Sequence, residues 1–165
     1  MGDGCLGPRR WMKMKRAYEG ILGGTEMLAW FGRVPSFHDA EIVNLNLFRR
    51  APSTLSLHTW NMTPSVDARG YFVLEKHAVV TFTIEDIIDL QLDGFSHQNV
   101  IGGLNLRRAP LDPKRRRRVY GGASSSEDWE IELEPCFGLN GRIHCRKISV
   151  SYLTGKPSDF REWSR

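Results

Sequence analysis

The sequence predicts an all-β, mainly antiparallel fold: a sandwich or strongly curved sheet of about seven strands with one short N-terminal helix. Three observations predict it. From Pro35 onward apolar residues recur at every second position, the period of a half-buried strand. Clusters of Gly, Pro, Ser, Asn and Asp break that alternation at short intervals, as turns do. Only the segment before Pro35 carries apolar spacings of three and four. The 165 residues fit one domain, and 41% apolar with 25% charged residues is an ordinary globular balance.

Taken in order, residues 1 to 15 lack periodicity and read as a mobile basic tail, leaving 16 to 165 as a single β domain. Tyr18, Ile21, Leu22, Met27, Leu28 and Phe31 suit a helix face, but Gly23 and Gly24 interrupt it. The helix is therefore placed at Thr25 to Phe31, with Thr25 as N-cap. Val43, Leu45 and Leu47 then face away from Asn44 and Asn46, "APS" turns the chain, and Leu55 and Leu57 return as the second half of a hairpin. After the loop "TPSVDARG", Val80, Phe82 and Ile84 alternate, "EDI" reads as a turn, and Ile88, Leu90 and Leu92 alternate again. "NVIGGLNLRR" is a strand in which Gly102 and Gly103 mark a bulge or a close backbone approach. A basic, flexible loop follows at about 107–128. Trp129, Ile131 and Leu133 alternate with Glu130, Glu132 and Glu134, an apolar-in, acid-out pattern. In the last strand the apolar parity slips between Cys145 and Ile148, which predicts a β-bulge near Arg146 and Lys147.

Several function classes drop out of the sequence. No stretch approaches the roughly 18 apolar residues of a membrane-spanning helix, and "MGDGCLGPRRWMKMKR" lacks the apolar core of a signal peptide, so a cytoplasmic protein is expected. Three cysteines without CxxC spacing form neither a disulfide framework nor a zinc knuckle, and Cys145 reads as a small core residue. No GxSxG, HExxH or cysteine-protease pattern occurs, so no catalytic residue, metal or cofactor is assigned.

"PSFHDAE", with Phe37, His38, Asp39 and Glu41, is the densest polar cluster. On an extended strand His38 points opposite to Asp39 and Glu41, so the three do not converge on one ion. They are read as a structural motif that fixes how the helix hands over to the sheet. His58, His77, His97 and His144 are scattered along the chain.

Charge is unevenly distributed. Of 23 basic and 19 acidic residues, residues 1–18 and 107–118 together hold 12 and 2, leaving 11 and 17, a body of formal charge −6. The run Lys114, Arg115, Arg116, Arg117 and Arg118 between Pro113 and "GGASSS" reads as a solvated loop capable of anion contact. With the basic tail it supports an alternative function, association with nucleic acid, although it lacks the interleaved aromatics of a specific reader. Glu130, Glu132 and Glu134, with Glu85, Asp86, Asp89 and Asp93, are instead the candidate partner-binding set, a negative surface that steers a basic partner.

The stretch "WFGRVPSFHDAEIVNLNL", followed by "VTFTIEDIIDLQLDGFSHQNVI" and "GLNGRIHCRKISVSY", resembles the bacterial immunity protein 50 family over about residues 28 to 153. That resemblance implies a protein without an active site, which binds and neutralises the toxin domain of a polymorphic toxin system. The expected partner is a protein toxin domain, basic in charge, with nucleic acid and membrane not expected as partners and the chain itself a monomer or homodimer. The tail 1–15 and the run 114–118 depart from the family pattern.

Overall fold

The computed structural model describes residues 8–109 and 127–159. Two helices, α1 (Pro8–Glu19) and α2 (Gly24–Phe31), precede six strands: β1 (Ala40–Asn46), β2 (Ser53–Val66), β3 (Phe72–Asp93), β4 (Val100–Arg108), β5 (Trp129–Phe137) and β6 (Asn140–Thr154). All strand pairings are antiparallel, and the order β1-β2-β3-β6-β5-β4 closes on itself through a short β1–β4 contact. The fold is thus all-β, and the expected curvature goes as far as a closed barrel. Closure removes most free strand edges.

The strand count falls to six because "EDI" does not turn. β3 runs through it as one 22-residue strand, paired with β2 from Phe72 to Ile84 and with β6 from Ala78 to Asp93. Asp86 takes φ 53° there, so the chain bends without reversing. β2 likewise continues through "TPSV", which was expected to be loop. The parity slip in β6 is present: Arg146 and Lys147 are both exposed between buried Cys145 and Ile148. The register change, however, sits on the facing strand, between Ile87 and Asp89. The two glycines of β4 do mark an irregularity: the register against β5 shifts between Ile101 and Gly103, and a Cβ on Gly102 would lie 3.2 Å from Pro135 O.

At the N-terminus the outcome differs more. Residues 8 to 15, expected in a mobile tail, form most of α1, whose Met14 and Tyr18 are buried with Ile21 just beyond. Spacings of four and three place these side chains together on one face, and its burial stabilises a short helix that would be marginal alone in water. Thr25 is not the N-cap. Gly23 takes that position at φ 82°, where a Cβ would meet Val150 O at 1.8 Å. This close approach lets Leu22 O accept a hydrogen bond from Val150 N at 2.9 Å, stitching the helical pair to β6.

The interior holds the alternating side chains of the sequence reading, among them Leu55, Leu57, Phe82, Ile101, Leu104, Ile131 and Ile143. Phe82 joins three elements: its ring centroid lies 6.4 Å from Tyr18 of α1 and 6.0 Å from Phe37 before β1.

Cys145 is buried as expected, and burial, aided by the Asp128 charge, pushes its thiol up from 9.0 to about 12. Burial alone raises the Tyr18 phenol above its ordinary value. Both groups ionise more readily in the unfolded chain. Stability is therefore full below pH 9.0 and falls as pH rises towards about 12, because the unfolded state then holds fewer protons. Melting temperatures measured across this range should drop, and Cys145→Ala should flatten part of the drop.

Candidate protein-docking surface

The acidic strand was expected to present Glu130, Glu132 and Glu134 together to solvent. Alternation does place them on the outer wall of the barrel, but register sets basic and amide groups of neighbouring strands directly opposite. Arg107 of β4 pairs with Glu130, which pairs with His144 of β6, and in the next row Asn105, Glu132 and Arg142 stand side by side. Arg107 Nη2 lies 2.6 Å from Glu130 Oε1 and Nη1 lies 2.7 Å from Glu132 Oε2. Asn105 Nδ2 donates to Glu134 Oε1 at 2.7 Å. The Glu130 side chain is 0% exposed. Burial works against the Arg107 cation, yet the hydrogen bond and charge of Glu130, then Glu132, outweigh it and hold the guanidinium above its ordinary value. Glu130 is thus removed as a partner contact, and Glu132 and Glu134 enter the wall already hydrogen-bonded.

A buried pair completes this wall. His144 Nε2 and Asp128 Oδ2 lie 3.3 Å apart, both almost fully buried. The contact is off the ring's hydrogen-bonding direction, for neither ring nitrogen of His144 makes a hydrogen bond. The wall is a fixed electrostatic feature rather than an open cleft.

In "PSFHD" the chain takes two left-handed residues, Phe37 at φ 53° and Asp39 at φ 60°. This drives Phe37 into the core and turns His38 and Asp39 outward, where Nδ1 and Oδ2 meet at 2.9 Å, both side chains substantially exposed. Asp39 N donates to Ile101 O at 3.0 Å, and Ala40 N to Phe37 O at 3.1 Å, so the motif closes β1 onto β4. Glu41 does not join the pair; it stands opposite His58 across β1 and β2. Among the described residues, no set of three or more His, Cys, Asp or Glu is gathered for a metal ion.

The second acidic set is strung along β3 instead of around a hairpin. Glu85 pairs with Lys147 at 2.8 Å, Asp89 accepts from Gln91 at 3.1 Å, and Asp86 and Asp93 are exposed. Asp93 borders a shallow apolar cleft lined by Leu45, Leu92, Phe95 and Leu139. Of the basic loop expected at 107–128, Arg107 and Arg108 end β4, and Ala109 N donates to Asp128 O at 2.8 Å. Lys114, Arg115, Arg116, Arg117 and Arg118 lie outside the described residues.

An exposed apolar surface lies where the sequence assigned no function. Beyond His58, β2 pairs only with β3 among the described residues, and before Ala78, β3 pairs only with β2. The two strands leave the barrel as a ribbon. It carries exposed Met62, Val66, Tyr71 and Phe72; Tyr71 is 70% exposed and Phe72 56%. A two-stranded ribbon is marginal in water unless something holds it. Here its root is clamped to the C-terminal end of α2. A bulge at Lys76, φ 51°, opposite Trp60 aims Lys76 Nζ at Trp30 O (2.8 Å) and Phe31 O (3.2 Å), while Asn61 Nδ2 donates to Phe31 O at 2.9 Å. The cation also suits the negative end of the helix dipole. At the tip, Asp67 Oδ1 accepts from Arg69 N and Tyr71 N at 2.8 and 3.0 Å, fixing the turn. The one sequence signal was "YFVLEK", an aromatic pair directly after a turn and outside the alternation.

None of the described helices is long and apolar enough to cross a membrane. No protein-family model, curated protein or solved structure matches the chain.

Proposed function

We propose that the chain is a bacterial immunity protein that acts in the cytoplasm, binding a partner protein toxin and silencing it by covering it, with no bond-making of its own. The resemblance of residues 28 to 153 to the immunity protein 50 family supports this reading. The single observation that carries it is the clamped ribbon with outward Tyr71 and Phe72. Exposed aromatic side chains on a preorganised element are the anchors that protein interfaces use, and the clamp lowers the ordering cost of docking. Asp86 and Asp93, exposed on β3, add negative potential that favours a basic partner and accelerates encounter.

The test is co-elution of the purified chain with the product of the neighbouring gene at micromolar concentration, followed by titration. A complex is expected, weakened by about 2 kcal/mol in Tyr71→Ser with Phe72→Ser, and its association slowed by added salt. Separate elution would overturn the proposal.

One observation favours the second reading, association with nucleic acid. α1 presents exposed Arg9, Lys13 and Arg16, none in an ion pair among the described residues. Retention on RNA that vanishes when these three become serine, with no toxin complex, would carry that reading instead.

A further inference from the structure

His58 and His77 are separated by 18 residues of chain, yet the β2–β3 register brings their rings together at the root of the ribbon. His58 Nε2 and His77 Nδ1 lie 3.1 Å apart and share one hydrogen bond. The ring planes lie 23° apart with centroids 5.3 Å apart, so the rings meet edge to edge, and Trp60 packs on both at 5.1 and 5.8 Å. All three side chains are half-buried, so solvent ions reach them.

We propose that His58 and His77 form a bidentate site for a divalent transition-metal ion of the copper and zinc class, bound between His58 Nε2 and His77 Nδ1. The proposal stands independently of the toxin-binding reading. Its basis is the spacing. Two nitrogens bound to one ion at about 2.0–2.1 Å, and separated at the metal by roughly 90–109°, lie about 2.8–3.4 Å apart. The observed separation falls inside that window, so no strand has to move; the rings, which now face each other across the hydrogen bond, turn about their side-chain bonds to aim both lone pairs at one ion. Imidazole is a ligand that copper, nickel and zinc all accept, and copper(II) binds most tightly in the divalent series.

Binding requires both facing nitrogens to offer lone pairs. The proton now shared between the rings leaves to solvent while the other nitrogen of the same ring takes one up, so two neutral imidazoles remain and no net proton is lost. Trp60 packs on both rings and limits how far they turn, as supporting groups do around metal ligands. Water completes the coordination. A bound ion would tie β2 to β3 where the ribbon leaves the barrel, and so stiffen the element proposed as the docking surface.

The experiment uses the untagged full chain with copper(II) and, separately, zinc(II). Calorimetry should give one saturable site of micromolar affinity, and the thermal midpoint should rise with metal. His58→Phe and His77→Phe, which keep an aromatic ring against Trp60, should each weaken binding by roughly tenfold or more. His38→Ala, at the exposed His38–Asp39 pair, should leave it unchanged. Electron paramagnetic resonance of the wild-type copper form should report two nitrogen ligands, a readout that holds even if a variant misfolds. The proposal is overturned by no saturable binding below about 100 µM, by copper held through only one protein nitrogen or none, or by binding that survives both histidine variants.

Discussion

Phe82→Ala is expected to destabilise the protein by about 4 kcal/mol, within the range for removing a fully buried aromatic ring. Phe82 is 0% exposed. It stands between Leu55 of β2 and Val150 of β6 in register, and it meets the rings of Tyr18 and Phe37. The ring therefore joins the barrel to α1 and to the "PSFHD" turn. Its loss leaves a cavity that three separately anchored elements cannot close together, so little of the cost is recovered by relaxation. Since a domain of this size holds roughly 5–15 kcal/mol in total, the variant should lose much of its margin. Urea unfolding checks this. Phe82→Leu, which keeps most of the volume, should cost about 1.5 kcal/mol, and equal losses for the two variants would refute the cavity argument.

Arg107→Ala is expected to cost about 3 kcal/mol, for a different reason. The Arg107 side chain is 44% exposed, and an ion pair at that exposure would ordinarily contribute little. Glu130, however, is fully buried, and without Arg107 its carboxylate keeps its desolvation cost while losing the cation beside it. The effect belongs to the stranded carboxylate. Adding Glu130→Gln to Arg107→Ala should therefore recover part of the loss, a coupling that a double-mutant cycle reads directly. Arg107→Lys should rescue incompletely, because one ammonium does not reproduce the fork that reaches Glu130 and Glu132 at once. Purely additive losses at the two positions would refute this account.

These two positions show why parts of the sequence were legible and others were not. Phe82 was assigned to the interior from alternation with Val80 and Ile84, because a side chain's choice of face is a property of its own strand. The same rule puts Glu130 on the outer wall, where it stands, but its carboxylate is buried against Arg107 and not solvated. Whether an outward carboxylate meets water or a guanidinium depends on which strand lies beside it, and the pairing of β4 with β5 spans the segment 109–128, where no local pattern sets register. The "EDI" error has the same origin: a left-handed Asp86 looks in sequence like a turn, and only pairing with β6 on both sides keeps the strand running. In "PSFHDAE" the exposed side chains of His38 and Asp39 pair with each other, and this outward display needs φ values of 53° at Phe37 and 60° at Asp39 that an extended strand does not have.

By itself the sequence determined the all-β class, the buried face of nearly every strand, the hairpin of β1 and β2, and the irregularity at Gly102 and Gly103. Each follows from chemistry within a few neighbouring residues. Tertiary structure alone decided that the sheet closes, that residues 8 to 15 become helix against β4, that Arg107 pairs with Glu130 and Glu132, and that His58 meets His77. Those outcomes depend on contacts between distant segments, whose free energy is set by mutual burial and registry and is not written in the periodicity of either partner.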